Sequence, residues 1–185
     1  MPGCHTLPSV SVAGRIGVAV DVEPRFDDYV RARSDGLLRL AWLVTRNWED
    51  ARDGVQDAFS SLYPRWDRLP EGARRDSYVT RTVVNACLAV TRRRRSQPVP
   101  DPSMLAEAPV VADPSGAVAE ADAAWRLCAE LPPAQRAAVV LRFYNDYSFG
   151  QIAEALDCPE STARSHVHRA MATLRSRLQK GDDDG

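Results

Sequence analysis

Apolar residues recur along this chain at spacings of three and four positions, which is the period of an α-helix with one buried face. No run alternates apolar and polar residues for long enough to predict a strand. The stripes comprise Leu37, Leu40, Ala41 and Val44; Ala51, Val55, Ala58, Phe59 and Leu62; Val79, Val83, Cys87 and Val90; Ala137, Val140, Leu141 and Tyr144; Phe149, Ile152, Ala153 and Leu156; and Ala163, Val167, Ala170, Met171, Leu174 and Leu178. The pattern predicts an all-α protein.

The last two stripes meet across a break only a few residues long, and this arrangement predicts a helix-turn-helix. Ser148 and Gln151 have the spacing of a capping box at the start of the first helix, and Pro159 suits the first turn of the second. The outward face of the second helix carries Arg164, Ser165, His168, Arg169 and Arg175. Short helices joined in this way typically bind DNA. The simpler interpretation is a helical hairpin with solvated basic residues.

A regular polar face accompanies the second apolar stripe. Asn47, followed three residues later by Asp50, predicts the N-cap of this helix. The face opposite the stripe consists of Asp53, Gln56, Asp57 and Ser60, again at helical spacing. Such a face is most often only solvated.

Basic and aromatic residues concentrate between residues 65 and 95. This segment holds nine arginines against three acidic residues, and a turn-rich stretch around Pro70 is bordered by Trp66 and Tyr78. Basic side chains attract phosphates and flat rings accept unstacked bases, a combination typical of proteins that bind single strands. In the alternative interpretation Trp66 and Tyr78 are core residues, and the arginines at 92 to 95 favour a helix C-terminus.

Composition places the chain in the globular range, with 185 residues, 44% hydrophobic and 26% charged residues and a formal net charge of −1. The length suits one medium domain or two small ones. The cysteines are far apart without a CxxC pair, so we expect reduced thiols. Neither Cys4 with His5, nor Cys158 with His166 and His168, has zinc spacing, so no metal or cofactor is predicted. The sequence offers no phosphate loop, paired catalytic carboxylates or activated nucleophile, which argues against an enzyme.

Two segments lack helical stripes. Residues 1–24 predict a disordered arm, within which Val20 marks a hypothetical alternative translation start, and the proline-rich residues 96–118 predict a flexible linker. Residues 181–185 form an acidic tail. No apolar run approaches the roughly 20 residues of a membrane span, and no secretory signal is evident, so we expect a cytoplasmic protein with no membrane contact.

Several ordered motifs in the second half resemble region 4 of bacterial RNA polymerase sigma factors, specifically the small extracytoplasmic-function group that includes the sigma-E-like proteins. The matching stretches are Leu-Pro-Pro-Ala-Gln-Arg at 131–136, Tyr-Ser-Phe-Gly-Gln-Ile-Ala at 147–153 and Cys-Pro-Glu-Ser-Thr-Ala-Arg-Ser-His-Val-His-Arg-Ala at 158–170. Ser161 stands where the family usually has Gly, and His166 where Arg or Lys is common. These departures concern the DNA preference.

The first half resembles sigma region 2. Asp-Ala-Arg-Asp-Gly-Val-Gln-Asp-Ala-Phe at 50–59 is similar to region 2.2, which docks on the clamp helices of the polymerase β′ subunit, although Gly54 replaces the usual Leu. The segment from 65 to 95 resembles regions 2.3 and 2.4, in which a loop captures a base flipped out of the −10 element. Tyr78 occupies the place of the family's usual Trp, and Asn85 matches a frequent Asn.

The resemblance implies a sigma factor with region 2 over 25–95 and region 4 over 119–180. Its implied partners are core RNA polymerase, through the β′ clamp helices and the β flap, promoter DNA, and an anti-sigma factor as a further candidate. Carried over by position, the polymerase-binding residues are Asp53, Gln56, Asp57 and Ser60. The −10 contacts are Trp66, Arg68, Arg74, Arg75, Tyr78, Arg81, Asn85 and Arg92. The −35 contacts are Ser161, Thr162, Arg164, Ser165, His168 and Arg169. The alternative function is a helix-turn-helix regulator that acts without being a polymerase subunit.

Overall fold

The computed structural model describes residues 25–96, 125 and 127–183, the last four without their side chains, and its regular elements in these ranges are all helical. The all-α prediction is confirmed. The helices are α1 (Phe26–Thr45), α2 (Trp48–Leu62), α3 (Ala73–Ser96), α4 (Pro133–Phe143), α5 (Phe149–Leu156) and α6 (Glu160–Asp183), with short 3₁₀ segments at Tyr63–Arg68 and Cys128–Glu130. The predicted arm, nearly all of the predicted linker and the end of the tail lie outside the described residues.

Local sequence signals set the starts of α2 and α5 as predicted. The Asn47 side chain accepts a hydrogen bond from the backbone N–H of Asp50 at 3.0 Å. Ser148 and Gln151 form a complete capping box, because each side chain accepts from the other residue's backbone N–H. Both caps satisfy amides that a helix start leaves unpaired.

The N-terminal half is a bundle of α1, α2 and α3, whose helices pack on one another in all three pairs. Its core contains the predicted stripe residues of each helix, among them Leu40, Val44, Val55, Val83 and Cys87. The third helix begins three residues earlier than the predicted start near Asp76, since α3 starts at Ala73.

Gly54 allows α2 and α3 to approach closely. A Cβ on this glycine would lie 2.6 Å from Cys87 Sγ and 3.1 Å from Cys87 Cα. Both distances are shorter than ordinary van der Waals contact. The position therefore points into the bundle, so its missing side chain removes nothing from the exposed face of α2.

Replacing Gly54 with Ala should lower the free energy of unfolding by about 1–3 kcal/mol, because the cost of overpacking exceeds the gain in helix propensity of roughly 1 kcal/mol. Gly36→Ala is the matched control, since this glycine lies in α1 with nothing within 4 Å of an added Cβ. It should stabilise the protein slightly. Urea denaturation of both variants measures the difference, and equal stabilisation by both would contradict the close packing of α2 on α3.

The C-terminal half consists of α4 packed against α5 and α6, with α5 and α6 forming the helix-turn-helix. Asp157, at φ 51°, ends α5 in the left-handed conformation. The predicted stripe of α6 is buried at Ala163, Val167 and Ala170 and packs on the core as far as Leu174, but Leu178 is 55% exposed. Tyr144 is likewise exposed, since it lies just past the end of α4. The prediction that these two residues belong to the core was wrong.

The two halves contact each other, although the sequence predicts a flexible linker between them. Helix α1 packs on α4, and α3 packs on both α4 and α5. One hydrophobic cluster runs through both halves, from Tyr29 to Val167. The protein thus comprises two small helical domains that share a packed interface.

Arg136 of α4 joins the halves at their most buried polar contact. It is 3% exposed; its Nε donates to the Val44 carbonyl of α1 at 2.7 Å, and its Nη1 donates to the Ala129 carbonyl at 2.6 Å. Burial, with the nearby positive charges of Arg95 and Arg46, lowers the pKa of Arg136 to about 10. The side chain therefore stays charged at neutral pH and satisfies a carbonyl at the end of α1.

Candidate protein and nucleic-acid interfaces

The polar face of α2 is exposed, as its periodicity predicts. Asp53, Gln56, Asp57 and Ser60 all lie on the surface. Asp57 Oδ2 accepts from Arg93 Nη2 of α3 at 3.0 Å, in an ion pair whose side chains are 55% and 64% exposed. Pairs this exposed contribute little to stability. The face is thus available for a protein partner, with one of its carboxylates already beside a cation.

Trp66 and Arg75, both predicted to contact DNA, are buried. Trp66 is 5% exposed and packs edge-on against Phe26, with ring centroids 5.1 Å apart. Arg75 is 6% exposed; its guanidinium carbon lies 4.8 Å from the Trp66 ring centroid and its Nε donates to the Pro70 carbonyl at 3.0 Å. In this arrangement the two side chains fix the turn before α3 from inside, as the alternative interpretation of Trp66 anticipated.

A polar cluster ties α1 to the start of α3 beside this turn. The Tyr29 hydroxyl donates to Asp76 Oδ1 at 2.7 Å, and Arg33 Nη2 lies 3.3 Å from Asp76 Oδ2. Burial, and then the hydrogen bond to Asp76, raise the pKa of the Tyr29 hydroxyl. The cluster holds α3 in register with α1.

The remaining predicted −10 residues on α3 share one face of the helix. Tyr78, Arg81 and Asn85 are half-buried and follow one another at helical spacing. Arg74 and Arg92 are exposed on the same stripe, and Arg68 is exposed at the end of the 3₁₀ segment. The structure therefore brings a tyrosine, an amide and several guanidiniums to a single surface.

This α3 face borders the helix-turn-helix. A cleft of about 470 Å³ lies between the α3 face and the helix-turn-helix. Its lining comprises Pro70, Ala73, Arg74, Ser77, Tyr78 and Arg81 from the N-terminal half and Tyr147, Gln151, Glu154 and Ala155 from the C-terminal half. Arg81 Nη1 and Nη2 lie 3.9 and 3.8 Å from carboxylate oxygens of Glu154 and Asp157. The packed arrangement therefore covers part of the predicted −10 surface with α5 and supplies carboxylates to its arginine.

The N-terminal half of α6 presents its predicted polar residues outward. Arg164, Ser165, His168 and Arg169 are exposed, as is Ser161, while Thr162 is half-buried. Ser165 Oγ donates to the Ser161 carbonyl at 2.8 Å, so this hydroxyl can still accept a hydrogen bond. These residues lie on an exposed helix surface, and the major groove of DNA is wide enough to admit an α-helix.

The described cysteines are free thiols. Burial raises the pKa of Cys87 to about 12 and also raises the pKa of Cys128 and of Cys158. These thiols are therefore protonated at neutral pH and weak as metal ligands. Among the side chains that the structure describes, those of residues 25–96, 125 and 127–179, no group of three or more His, Cys, Asp or Glu could hold a metal ion. Cys4 and His5 lie outside these ranges. No helix in the described part of the chain is long and apolar enough to cross a bilayer.

Two residues, Arg136 and Phe149, support the candidate interfaces although sequence periodicity does not predict this role for either of them. Arg136 lies in a motif that the resemblance covers, yet its buried bond to Val44 spans 92 positions of the chain. The apolar stripe of α5 predicts that Phe149 is buried; it is half-buried, with the guanidinium carbon of Arg164 lying 4.5 Å from its ring centroid. An arginine next to the apolar stripe of α4 is the sequence signal that could have identified Arg136. No signal in the sequence indicates that Phe149 contacts Arg164.

Family comparisons match both halves of the chain. The family model described as sigma-70 region 2 matches residues 29–97, and the model described as sigma-70, region 4 matches residues 121–174. Together they cover well over half of the sequence in the order that the motifs predict.

Relatives match along most of their length. The RNA polymerase sigma-E factor of Streptomyces avermitilis is 35% identical over 159 residues, 86% of this chain and 88% of that protein. The ECF RNA polymerase sigma factor SigM of Mycobacterium tuberculosis is 38% identical over 149 residues, 80% of this chain and 74% of that protein.

Two solved structures share the fold. The sigma factor RpoE of Bartonella quintana, in complex with the anti-sigma factor NepR, has a TM-score of 0.60 at 18% identity and covers 83% of this chain and 96% of its own. CnrH, in complex with the cytosolic domain of CnrY, has a TM-score of 0.57 at 19% identity and covers 84% of this chain and 88% of its own.

Proposed function

Because this chain belongs to the sigma-70 family of RNA polymerase sigma factors, in its extracytoplasmic-function group, we propose that its two halves divide the work of initiation between polymerase docking with −10 recognition and −35 recognition. The protein binds core RNA polymerase and directs transcription from specific promoters. A regulator that acts without the polymerase is not favoured, since the similarity extends through region 2 as well as the helix-turn-helix. The observation that supports this division is the set of exposed helix faces: a polar face on α2 and a basic, aromatic face on α3 in the first half, and a basic, polar face on α6 in the second.

Core polymerase docks on the exposed face of α2. Asp53, Gln56, Asp57 and Ser60 offer two carboxylates, an amide and a hydroxyl on one helix surface. Neighbouring Arg93 pairs with Asp57 through an exposed contact, which a partner can exchange at little cost. Complementary charge across such an interface contributes mostly to association rate and specificity.

Recognition of the −10 element uses the exposed α3 face and the turn before it. Arg68, Arg74 and Arg92 attract phosphates, while Tyr78 with Arg81 and Asn85 accepts an unstacked base. Trp66 and Arg75 act from beneath as positioning residues, because both are buried and Arg75 holds the turn through the Pro70 carbonyl. A pocket that rewards a flipped base couples melting to sequence recognition.

The α3 face must be uncovered before it binds DNA. In the packed arrangement α5 borders Tyr78 and Arg81, and the carboxylates of Glu154 and Asp157 lie where a phosphate would be attracted. Separation of the halves on core polymerase frees this face and sets the distance between the two DNA-binding surfaces. The free chain therefore binds promoter DNA poorly.

Recognition of the −35 element uses the N-terminal half of α6. Ser161, Thr162, Arg164, Ser165, His168 and Arg169 form the contact surface, with base edges assigned mainly to Arg164 and phosphate to Arg169. The assignment follows from their offset along the helix and from the restrained position of Arg164, whose Nη2 donates to Glu160 Oε1 at 2.8 Å. Arginine makes bidentate contacts to guanine in the major groove.

Arg164→Ala should relax the preference at one −35 position at a cost of roughly 1–3 kcal/mol, whereas Arg169→Ala should weaken all promoters about equally and lower the salt slope by about one. The measurement is binding of the holoenzyme, assembled from core and full chain, to promoters varied at each −35 position and at several salt concentrations. Equal and sequence-blind losses in both variants would mean that α6 is only an electrostatic anchor.

Sigma factors are in general regulatory subunits rather than catalysts, and this chain carries no active site of its own in the proposed mechanism. Its place of action is the cytoplasm, where the polymerase transcribes. An anti-sigma factor is a candidate partner, supported by the complexes in which RpoE and CnrH were solved.

A further inference from the structure

Phe149, the first residue of α5, lies against the guanidinium of Arg164. The guanidinium carbon is 4.5 Å from the ring centroid, within the distance at which an aromatic face attracts a cation. The ring is half-buried and packs on the hydrophobic core, so its position is fixed by the fold. It therefore restricts a side chain that is otherwise long and exposed.

Glu160 restrains the same guanidinium from a second direction. Its Oε1 accepts from Arg164 Nη2 at 2.8 Å, and its Oε2 lies 3.7 Å from the place that a Cβ on Gly150 would take. Gly150 is in the first turn of α5, where a negative charge is favoured by the helix dipole. The carboxylate thus connects Arg164 of α6 to the start of α5.

Arg142 places a second cation at the Phe149 ring from α4. Its guanidinium carbon is 5.3 Å from the ring centroid, and its Nη1 donates to the Tyr147 carbonyl at 2.8 Å. The contacts run from α4 through the ring to Arg164. All three helices of the C-terminal half therefore contribute to the position of one exposed guanidinium.

We propose that Phe149 is a positioning residue for promoter recognition, which orients Arg164 toward one −35 base pair without itself contacting DNA. The inference rests on the proposed function, in which Arg164 reads a base edge. A restrained arginine loses less conformational entropy on binding, and a bidentate contact to guanine requires a defined guanidinium plane. The ring lies against the guanidinium and accepts none of its N–H groups in a conventional hydrogen bond, so the donors not used by Glu160 remain for a base.

The test compares holoenzymes that carry Phe149→Leu, Phe149→Tyr or Arg164→Ala, on promoters varied at each −35 position. Phe149→Leu keeps an apolar side chain but removes the ring. It should reduce the preference at the position that Arg164 controls by about twofold to fivefold, the range of a cation–π contact at an exposed site. Phe149→Tyr retains the ring and should retain the preference.

A double variant and a matched control separate orientation from general stability. The holoenzyme with both Phe149→Leu and Arg164→Ala should show the same preference among −35 variants as the holoenzyme with Arg164→Ala alone, because both changes remove the same interaction. Phe143→Leu makes the same substitution at a neighbouring aromatic that is 58% exposed, and it should leave the −35 preference unchanged.

Two outcomes would overturn the inference; the first leaves the proposed role of Arg164 intact, and the second overturns that role as well. If Arg164→Ala alters one −35 position while Phe149→Leu leaves the preference intact or weakens all promoters equally, Phe149 has no orienting role and the proposed function stands. If Arg164→Ala has no position-specific effect, the assignment of Arg164 to a base fails and the role of Phe149 fails with it.

Discussion

Replacing Asp53 and Asp57 together with Lys should weaken binding to core RNA polymerase by about 100-fold. Placing like charges across a complementary interface costs several kcal/mol, and about 1.4 kcal/mol corresponds to a factor of ten in affinity. The residual binding should also depend less on salt, since the attractive charges are gone. Titration of labelled chain with purified core at several salt concentrations measures both effects.

Controls separate docking from net charge and from the Asp57–Arg93 pair. Asp28→Lys with Asp35→Lys changes the net charge equally at exposed positions of α1 and should leave core affinity within about twofold, the usual range for surface substitutions away from an interface. Arg93→Ala removes the intramolecular partner of Asp57 and should not weaken binding. Unchanged core affinity in the Asp53 and Asp57 double variant would rule out docking through this face of α2.

Arg136→Met should lower the free energy of unfolding by about 2–4 kcal/mol and loosen the contact between the halves. The substitution keeps an apolar stem of similar length but leaves the carbonyls of Val44 and Ala129 without their charged donor, and unsatisfied buried groups of this kind cost about 1–3 kcal/mol each. The unfolding midpoint in urea and the radius of gyration of the folded variant measure the two effects.

Arg175→Met is the control for that prediction, since it removes an exposed guanidinium from α6 and should leave stability and compactness unchanged. The Arg136 variant should expand while retaining its helix content by circular dichroism. Wild-type stability and compactness in the Arg136 variant would show that its bond to the Val44 carbonyl does not hold the halves together.

Sequence patterns were sufficient wherever the structure depends on neighbouring residues. Apolar periodicity and caps identified the helices, since the stripe of α3 and the capping box at Ser148 are set within a few positions of the chain. The exposed faces of α2 and α6 followed from the same periodicity. Leu178 differs because burial requires a facing helix as well as an apolar stripe.

Long-range packing accounts for what the sequence could not predict. The burial of Trp66 depends on Phe26 and Tyr29 from α1, and the contact between the halves includes a hydrogen bond from Arg136 to a residue 92 positions away. Gly54 departed visibly from the family pattern, but only the structure shows that it faces Cys87 rather than a partner. Tertiary contacts of this kind do not produce a periodic pattern in the sequence.

Transcription reconstituted from purified components tests the central claim most directly. Core RNA polymerase is incubated with a library of promoter fragments, with and without this chain, and the 5′ ends of the transcripts are mapped. The account predicts that the chain adds starts at a defined subset of fragments that share −10 and −35 elements, and that the Asp53 and Asp57 double variant does not. No gain of specific starts, together with tight footprinting of DNA by the free chain, would contradict it and indicate a regulator that acts without the polymerase.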